Sequence, residues 1–382
     1  MRILVNALSA RRGGIITYTR NLMRSFKERN VDAVFALQQP SILENEDVET
    51  AAFPVTDMKP ITRAIWEQTL WRQTVKRINP DVLYSSANFG LLAPPVPQVL
   101  LIREGGLFDP DYLGNIAPAL GAKAAFTRTL RRELILASAR ASDIVMTPTN
   151  AMRDLLQLWT NDMGEKVETN IYGTRLDHFM PSNNPRKWRA DGTLKILMVS
   201  AYYPHKQPGL IAEAVRILNE RGIPAHLTVT MDLQDVAETP GGAKDAFLIK
   251  KAIERGDTTL LGHVEYDDLP DLYHQHDAFV TASLSETFGH PLVEAMAAGI
   301  PIVAADTPVQ REVCKDAAVY FPATSSEALV KELMQLNTDA NLRQQLHERA
   351  GIYPAGNYSW DGHVDRLLDC FERAHAKRKI PA

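Results

Sequence analysis

Residues 283–305, SLSETFGHPLVEAMAAGIPIVAA, hold two glutamates, Glu286 and Glu294, with seven residues between them. The stretch predicts a helix from about Pro291 to Ala298, because proline is favoured in the first turn and the Gly299-x-Pro sequence ends a helix. Apart from Glu294 this helix is apolar on every side, and such helices are normally buried. A buried, ionised carboxylate needs a cation, a set of donors or a ligand. Glu294 is therefore a candidate binding residue, and an ordinary buried ion pair is the alternative.

The residues that lead into this helix form a candidate phosphate site. Thr287, Phe288 and Gly289 precede it, and their N–H groups lie at the positive end of the helix dipole. Glu286 would lie beside a phosphate bound there, unless it is an ordinary solvated loop residue. Glu294 would lie a turn or more farther along, close enough to accept hydrogen bonds from hydroxyls of the same ligand. The pattern indicates a phosphorylated, hydroxyl-rich molecule.

The string S-x-x-E-T-F-G-x-P-x-x-E-A-M-A-A-G-x-P, residues 283–301, resembles the donor-site signature of retaining glycosyltransferases of family four, which have the GT-B fold. The resemblance implies that Glu294 binds the ribose of a nucleotide sugar and that Glu286 contacts hydroxyls of the donor sugar. It also implies that the amides of residues 287–289 hold the diphosphate. Trp66-Glu67-Gln68 and Asn88-Phe89-Gly90 resemble a bacterial polysaccharide-related subset of the family, although the spacing of Trp66 and Leu70 also predicts a core-facing helix stripe.

Composition agrees with a globular protein of two domains. The chain has 382 residues, 45% of them hydrophobic and 23% charged, and its formal charge of −4 argues against a general nucleic-acid binder. Two cysteines are too few for a disulfide framework or a zinc site, so a cytoplasmic location is expected. The first residues predict a strand and not a signal peptide, and no apolar stretch approaches the length that spans a bilayer.

Short apolar runs alternate with amphipathic ones, which predicts an α/β protein with two doubly wound, Rossmann-like domains facing across a cleft. We expect an acceptor-side domain over residues 1–180 and a nucleotide-sugar domain over residues 190–358. The resemblance implies that a C-terminal helix, about 360–382, packs back on the first domain. The predicted strands are 3–8, 33–37, 82–85, 99–102 and 144–147 in the first domain, and 195–200, 225–230, 259–261, 278–281 and 301–304 in the second.

Two loops of the second domain are expected to complete the donor site. Lys206 follows its first strand and resembles the diphosphate-binding lysine of the family, whose charge would neutralise the leaving nucleoside diphosphate. A solvated loop lysine is the alternative. Relatives often carry an arginine a few residues earlier, where this chain has Ala201, Tyr202 and Tyr203. The loop with His263 and Val264 resembles the one that contacts the base, mostly through backbone groups.

In the first domain, Gly13 and Gly14 follow the first strand, where glycine lets a ligand approach the backbone closely. The resemblance implies that this loop abuts the donor phosphate and the acceptor. Relatives often have a histidine at the position where this chain reads Leu101 to Gly106. Arg103 or Glu104 is expected to replace it, and Arg103 ranks first because a charged residue that ends an apolar strand faces the cleft.

Two further segments bear on metals and membranes. Asp109-Pro110-Asp111 has the form of a metal-binding D-x-D motif but predicts a turn, so no catalytic metal and no cofactor besides the nucleotide sugar are expected. Residues 123–140 predict a basic amphipathic helix, with Phe126 among its apolar residues. Many relatives dock such a surface on anionic lipid, which would place the protein peripherally on the inner face of the cytoplasmic membrane. An ordinary solvated helix is the alternative.

These features predict a retaining enzyme that moves a hexosyl group from a GDP- or UDP-linked sugar to a saccharide or lipid-linked saccharide acceptor, in cell-surface polysaccharide or lipopolysaccharide synthesis. Glu286, Lys206 and Arg103 are the expected catalytic residues. Two alternatives remain open: a non-catalytic GT-B protein that binds a nucleotide or glycan, and a retaining glycoside hydrolase, which needs two carboxyl groups about 5 Å apart.

Overall fold

The computed structural model describes residues 1–10, 14–38, 48–53, 55, 58–160, 162–180 and 187–379. The chain divides into two compact units. The first unit comprises Met1–Glu104, Phe126–Ile171 and Asp361–Ala382, and the second comprises Gly105–Ala125 and Tyr172–Trp360. Residues 105–125 and 172–180, which the sequence prediction assigned to the first domain, thus cluster with the second unit.

Each unit is built on a sheet of parallel strands, as doubly wound folds require. The described part of the first sheet has the order β3-β2-β1-β4-β5-β6-β7, and that of the second has the order β10-β9-β8-β11-β12-β13. The predicted α/β class with two Rossmann-like sheets is confirmed. The strands are β1 (Ile3–Asn6), β2 (Ala33–Leu37), β3 (Thr50–Ala52), β4 (Val82–Ser85), β5 (Gln98–Leu101), β6 (Ile144–Thr147), β7 (Val167–Thr169), β8 (Leu194–Met198), β9 (Ala225–Val229), β10 (Thr258–Leu260), β11 (Ala278–Thr281), β12 (Ile302–Ala305) and β13 (Ala318–Phe321).

Helices flank both sheets and cover their apolar strands. The central strands β4, β5, β11 and β12 are buried along their whole length, which is why they read as continuous apolar runs. The helices are α1 (Gly14–Glu28), α2 (Pro60–Trp66), α3 (Arg72–Ile78), α4 (Pro110–Asn115), α5 (Gly121–Ala141), α6 (Asn150–Gln157), α7 (Leu176–Phe179), α8 (Pro208–Glu220), α9 (Leu233–Glu238), α10 (Ala243–Arg255), α11 (Leu269–Gln275), α12 (His290–Ala297), α13 (Pro308–Cys314), α14 (Ser326–Thr338), α15 (Ala340–Asn357) and α16 (Trp360–Lys379).

A π-helical turn, Glu67–Trp71, joins α2 to α3 and corrects one sequence prediction. Trp66 does pack against the core, but Leu70 is 55% exposed and Trp71 is buried instead. The extra residue per turn of a π-helix rotates the side chains that follow it, so the expected core stripe ends at Trp66.

The C-terminal helix α16 packs within the first unit through polar and aromatic contacts. Arg29, the residue directly after α1, donates to Asp361 at 2.9 Å and also pairs with Asp365. The ring of Phe371 lies 5.2 Å from that of Tyr84 on β4. These contacts join the end of the chain to the sheet formed by its beginning.

Candidate functional site

Two loops of the second unit leave neighbouring strands at the same edge of the sheet. Strand β8 pairs with β11 in parallel, so the residues that follow both strands lie beyond the carboxyl edge, where doubly wound folds bind ligands. The loop after β8 carries Lys206 at the end of a 3₁₀ turn, Pro204–Lys206. The loop after β11 carries Glu286 and leads into α12.

Backbone groups join the two loops. The amide of Leu284 donates to the carbonyl of His205 at 2.8 Å. Gln207, which adopts a left-handed conformation with φ of 50°, donates through Nε2 to the carbonyl oxygens of Ala282 at 2.7 Å and Ala323 at 2.8 Å. These bonds hold Lys206 and Glu286 on one scaffold.

Lys206 and Glu286 form an ion pair, and both side chains are largely buried. Burial alone would raise the pKa of Glu286, but the charge of Lys206 and a hydrogen bond from Lys206 outweigh burial and lower it. Glu286 is therefore ionised at neutral pH. Burial and the charge of Lys206 lower the pKa of His205 to about 4, so this imidazole is neutral beside the pair.

Glu294 lies inside α12 and is 5% exposed. The hydroxyl of Tyr273 donates to Glu294 Oε2 at 2.9 Å. Within the ranges that the structure describes, no cationic side chain forms an ion pair with this carboxylate, so the buried salt bridge considered from the sequence is absent there. Burial raises the pKa of Glu294 to about 7, although the bond from Tyr273 acts to lower it.

The residues expected to bind phosphate through their amides lie directly before α12, which begins at His290, one residue earlier than predicted. Gly289 has φ of 82°, and a Cβ placed there would lie 2.9 Å from Leu292 Cδ1, so a larger residue would be strained. Phe288 is buried, and its ring packs edge-on against those of Tyr172 and Tyr358. The Phe288 side chain therefore anchors the loop, which leaves only its backbone for a ligand.

The predicted base-contacting loop follows β10. The side chain of His263 is 83% exposed and lies 3.4 Å from Glu265. Gly262 has φ of 69°, and a Cβ there would meet the Asp232 carboxylate at 2.8 Å. The turn before His263 and Val264 is thus closely packed, while the histidine itself points to solvent.

The first unit contains the remaining predicted residues. Gly13 lies outside the described residues. A Cβ on Gly14, the first residue of α1, would lie 3.8 Å from the guanidinium of Arg103, which also lies over the Tyr18 ring at 5.8 Å. Glu104 instead accepts three bonds of 2.7 to 2.9 Å from Arg131. Arg103 and Gly14 are therefore neighbours, and Glu104 has a structural partner.

The sequence predicted a turn at Asp109-Pro110-Asp111, but in the structure these residues begin helix α4. Asp109 caps α4, since its Oδ1 accepts from the amide of Asp111 at 2.9 Å, and it is buried. A proline directly after an aspartate is a known start signal for a helix and could have revealed this. In the described ranges, no three His, Cys, Asp or Glu side chains cluster as a metal site would require.

Comparison with known proteins shows what the second unit resembles. Residues 182–351 match the family model described as glycosyl transferases group 1. The O-antigen chain mannosyltransferase B of Escherichia coli is 29% identical over 125 residues, 33% of this chain and 32% of that protein. A D-inositol 3-phosphate glycosyltransferase of Salinispora tropica is 28% identical over 259 residues, 63% of this chain and 53% of that protein. The chain thus matches between a third and about half the length of these curated relatives.

Solved structures show the fold over nearly the whole chain. Sucrose-phosphate synthase from Thermosynechococcus elongatus superposes with a TM-score of 0.77 and 16% identity, over 99% of this chain and 100% of the other. WaaG, a glycosyltransferase involved in lipopolysaccharide biosynthesis, superposes with a TM-score of 0.71 and 17% identity, over 97% of this chain and 99% of the other. Anabaena Alr3699/HepE in complex with UDP and glucose superposes with a TM-score of 0.73 and 14% identity, over 97% of this chain and 99% of the other. The chain has the GT-B fold of these solved structures, and residues 182–351, somewhat less than half of the chain, match the glycosyl transferases group 1 model.

Proposed function

We propose that this chain is a retaining glycosyltransferase that moves a hexosyl group from a UDP- or GDP-linked sugar to a saccharide acceptor, in the synthesis of a cell-surface polysaccharide or lipid-linked glycan. The names of its relatives support this class of pathway, since they include O-antigen mannosyltransferases of Escherichia coli and Salmonella typhimurium. The UDP bound to the similarly folded HepE supports a nucleotide-linked donor.

The observation that carries the proposal is the Lys206–Glu286 pair at the carboxyl edge of the second sheet. A diphosphate that reaches this edge meets the Lys206 ammonium and the amides of residues 287–289. Glu286 then accepts hydrogen bonds from hydroxyls of the sugar. Positive charge fixed next to the leaving oxygen stabilises the charge that develops as the glycosidic bond breaks.

The proposed reaction needs no protein nucleophile and no metal. The acceptor hydroxyl attacks the anomeric carbon from the face that the diphosphate leaves, and the departing phosphate oxygen takes the hydroxyl proton. One C–O bond forms as another breaks, which gives a glycoside of retained configuration and a nucleoside diphosphate. The protein supplies orientation and charge. In the first unit, Arg103 and Gly14 are proposed to contact the donor and acceptor.

Glu294 is proposed to bind the ribose. It is a buried acceptor, and Tyr273 is the only donor to its carboxylate within the described part of the chain. Ribose hydroxyls would supply the further donors that a buried carboxylate requires. Because hydrogen bonds from hydroxyls favour the ionised form, donor binding should lower the pKa of Glu294 from its raised value.

We further propose that α5 holds the protein peripherally on an anionic membrane on its cytoplasmic side, where a lipid-linked acceptor would lie. Three apolar side chains four residues apart, Phe126, Leu130 and Leu134, are exposed on this helix. Arg128 lies on the same helix and supplies positive charge, whereas the charge of Arg131 is paired with Glu104. In the described residues, none of the helices is both long and apolar enough to span a bilayer. Sedimentation with phosphatidylglycerol vesicles tests this, and equal binding by Phe126→Ser/Leu130→Ser and wild type would contradict it.

The function is tested with a panel of UDP, GDP, ADP and their sugar conjugates, measured by thermal shift on wild type and Glu294→Ala. A ligand that binds only the folded state raises the melting temperature. We expect a shift with one nucleotide that is lost in the variant, followed by release of that nucleotide when the matching sugar donor and an acceptor are supplied. Tight binding without turnover on any donor would favour the non-catalytic binding protein. Hydrolysis of an aryl glycoside without nucleotide would favour the hydrolase.

A further inference from the structure

Residues 105–125, which we call the crossing segment, belong to the second unit although the residues on both sides belong to the first. The segment contains α4, a short 3₁₀ turn and the start of α5. It packs closely, since a Cβ added to Gly241 would lie 2.9 Å from Leu120. Two of its side chains, Asp109 and Tyr112, reach the loops that carry the ion pair.

Asp109 contacts the loop after β11. Its carboxylate lies beside the hydroxyl of Ser285, which acts to lower the pKa of Asp109 while burial raises it, with a net rise. Both residues are buried, at 9% and 5% exposure. The Ser285 hydroxyl is buried and makes no hydrogen bond within the described residues, so the two side chains are neighbours without a formed hydrogen bond. Ser285 directly precedes Glu286 in the chain.

Tyr112 contacts the loop after β8. Its ring meets the ring of His205 edge-on, with centroids 5.7 Å apart and an interplanar angle of 70°. On the same imidazole, the Tyr203 ring stacks at 5.6 Å and 14°. His205 is thus held between two tyrosines, and it directly precedes Lys206.

We propose that Asp109 and Tyr112 are positioning residues for the Lys206–Glu286 pair. Each touches the residue immediately before one member of the pair, so together they set the position of both loops. The inference rests on the proposed function. Charge stabilisation depends on placement, and a displacement of about 1 Å in a positioning group can lower a rate about a hundredfold.

The alternative is that Asp109 only caps α4, and the chain offers a matched control for this. Asp339 caps α15 in the same unit, where its carboxylate accepts from the amide of Leu342 at 2.9 Å. Asp339→Ala therefore removes a comparable cap from a helix that does not carry Asp109 or Tyr112. Ser285→Ala removes the contact from the other side and leaves the α4 cap in place.

The test compares kcat and donor KM for Tyr112→Ala, Tyr112→Phe, Asp109→Ala, Ser285→Ala and Asp339→Ala, each corrected for its folded fraction. We expect kcat to fall about tenfold or more in Tyr112→Ala, Asp109→Ala and Ser285→Ala, with donor KM changed less than about twofold. Tyr112→Phe keeps the ring and should retain kcat, and Asp339→Ala should lower only the melting temperature. In a Glu286→Ala background, Tyr112→Ala should add little further loss, because both changes act on one unit.

Two results would overturn the inference. A kcat for Ser285→Ala and Tyr112→Ala equal to that of Asp339→Ala would assign these contacts to stability alone. Full additivity of Tyr112→Ala with Glu286→Ala would show that Tyr112 does not act through the pair. Both require a wild type that transfers sugar, so a wild type inactive with every donor would instead contradict the proposed function and this role with it.

Discussion

The loop before α12 and the helix itself each carry a largely buried glutamate, and the two carboxylates behave in opposite ways. Glu286 has an ammonium partner, and the charge of Lys206 lowers its pKa despite burial. Glu294 has a neutral hydroxyl partner, and burial raises its pKa to about 7. The same residue type, eight positions apart, is thus held ionised in one place and close to half-protonated in the other at neutral pH.

The difference shows that the partner, more than burial, decides the charge of a buried acid. In the proposed site, the different charge states of Glu286 and Glu294 also give the two residues different roles. An ionised Glu286 keeps Lys206 fixed at the sheet edge, while Glu294 is proposed to accept further hydrogen bonds from the hydroxyls of a ligand. Four experiments test this difference between the two glutamates.

The largest effect is expected from Lys206→Ala. The change leaves Glu286 largely buried without its cation, which should lower the free energy of unfolding by about 3 kcal/mol. It should also lower kcat about a hundredfold or more, with a smaller effect on nucleotide affinity. Urea unfolding and steady-state kinetics measure the two effects. The double variant Lys206→Ala/Glu286→Ala should regain stability but not turnover, and recovery of both would contradict the role of Lys206.

The second experiment varies pH. The folded protein binds the Glu294 proton more tightly than the unfolded chain, whose glutamate has its ordinary pKa of 4.5. The stability that this group contributes is therefore complete below about pH 4.5 and is lost as the pH rises through about 7, a decrease of about 3 kcal/mol. Urea unfolding at pH 5 and pH 8 should show this decrease in wild type and a smaller one in Glu294→Gln. If the free energy of unfolding changed equally with pH in the two proteins, the raised pKa of Glu294 would be contradicted.

Glu294→Ala should weaken nucleotide binding by about tenfold or more, because hydrogen bonds to a charged acceptor contribute about 1.5 to 3 kcal/mol. Calorimetric titration at pH 8, where Glu294 is ionised, gives the affinity. Wild-type affinity should also fall as the pH drops below 7, and that dependence should vanish in Glu294→Gln. Equal nucleotide affinity in wild type and Glu294→Ala would contradict the proposal that Glu294 binds the ribose.

The smallest effect is expected from Tyr273→Phe, which removes the identified donor to Glu294 and keeps the ring. Stability should fall by about 1 kcal/mol. Because the lost bond acts to lower the pKa of Glu294, the pH at which stability declines should move upward. The same unfolding series measures this, and an unchanged midpoint would mean that the Tyr273 hydroxyl does not set the charge of Glu294.

The sequence predicted the main strands well because they are buried on both faces and read as apolar runs, as in β4, β6 and β11. It missed β3, β7 and β13, which lie at sheet edges. Strands β3 and β7 have three residues each and little apolar sequence, so they carry no period-two or continuous apolar signal.

The site was predicted in part. The lone Glu294 in an apolar helix and Lys206 after a strand both follow from local pattern, and the structure places Lys206 against Glu286. The approach of Asp109 and Tyr112 to these loops could not be predicted, because they come from a segment far earlier in the chain and no local period encodes such a contact. Tyr273 was missed for the same reason, since its hydroxyl meets Glu294 across 21 positions.

The hydrogen bonds that join the loops after β8 and β11 restrict the conformational freedom of these loops in the folded protein. Leu284 and Gln207 restrain them through hydrogen bonds within the protein itself. Their conformational entropy is therefore lost during folding and not during association, which favours binding. Calorimetry of nucleotide association should accordingly lack the large negative heat capacity change that accompanies coupled folding of a segment.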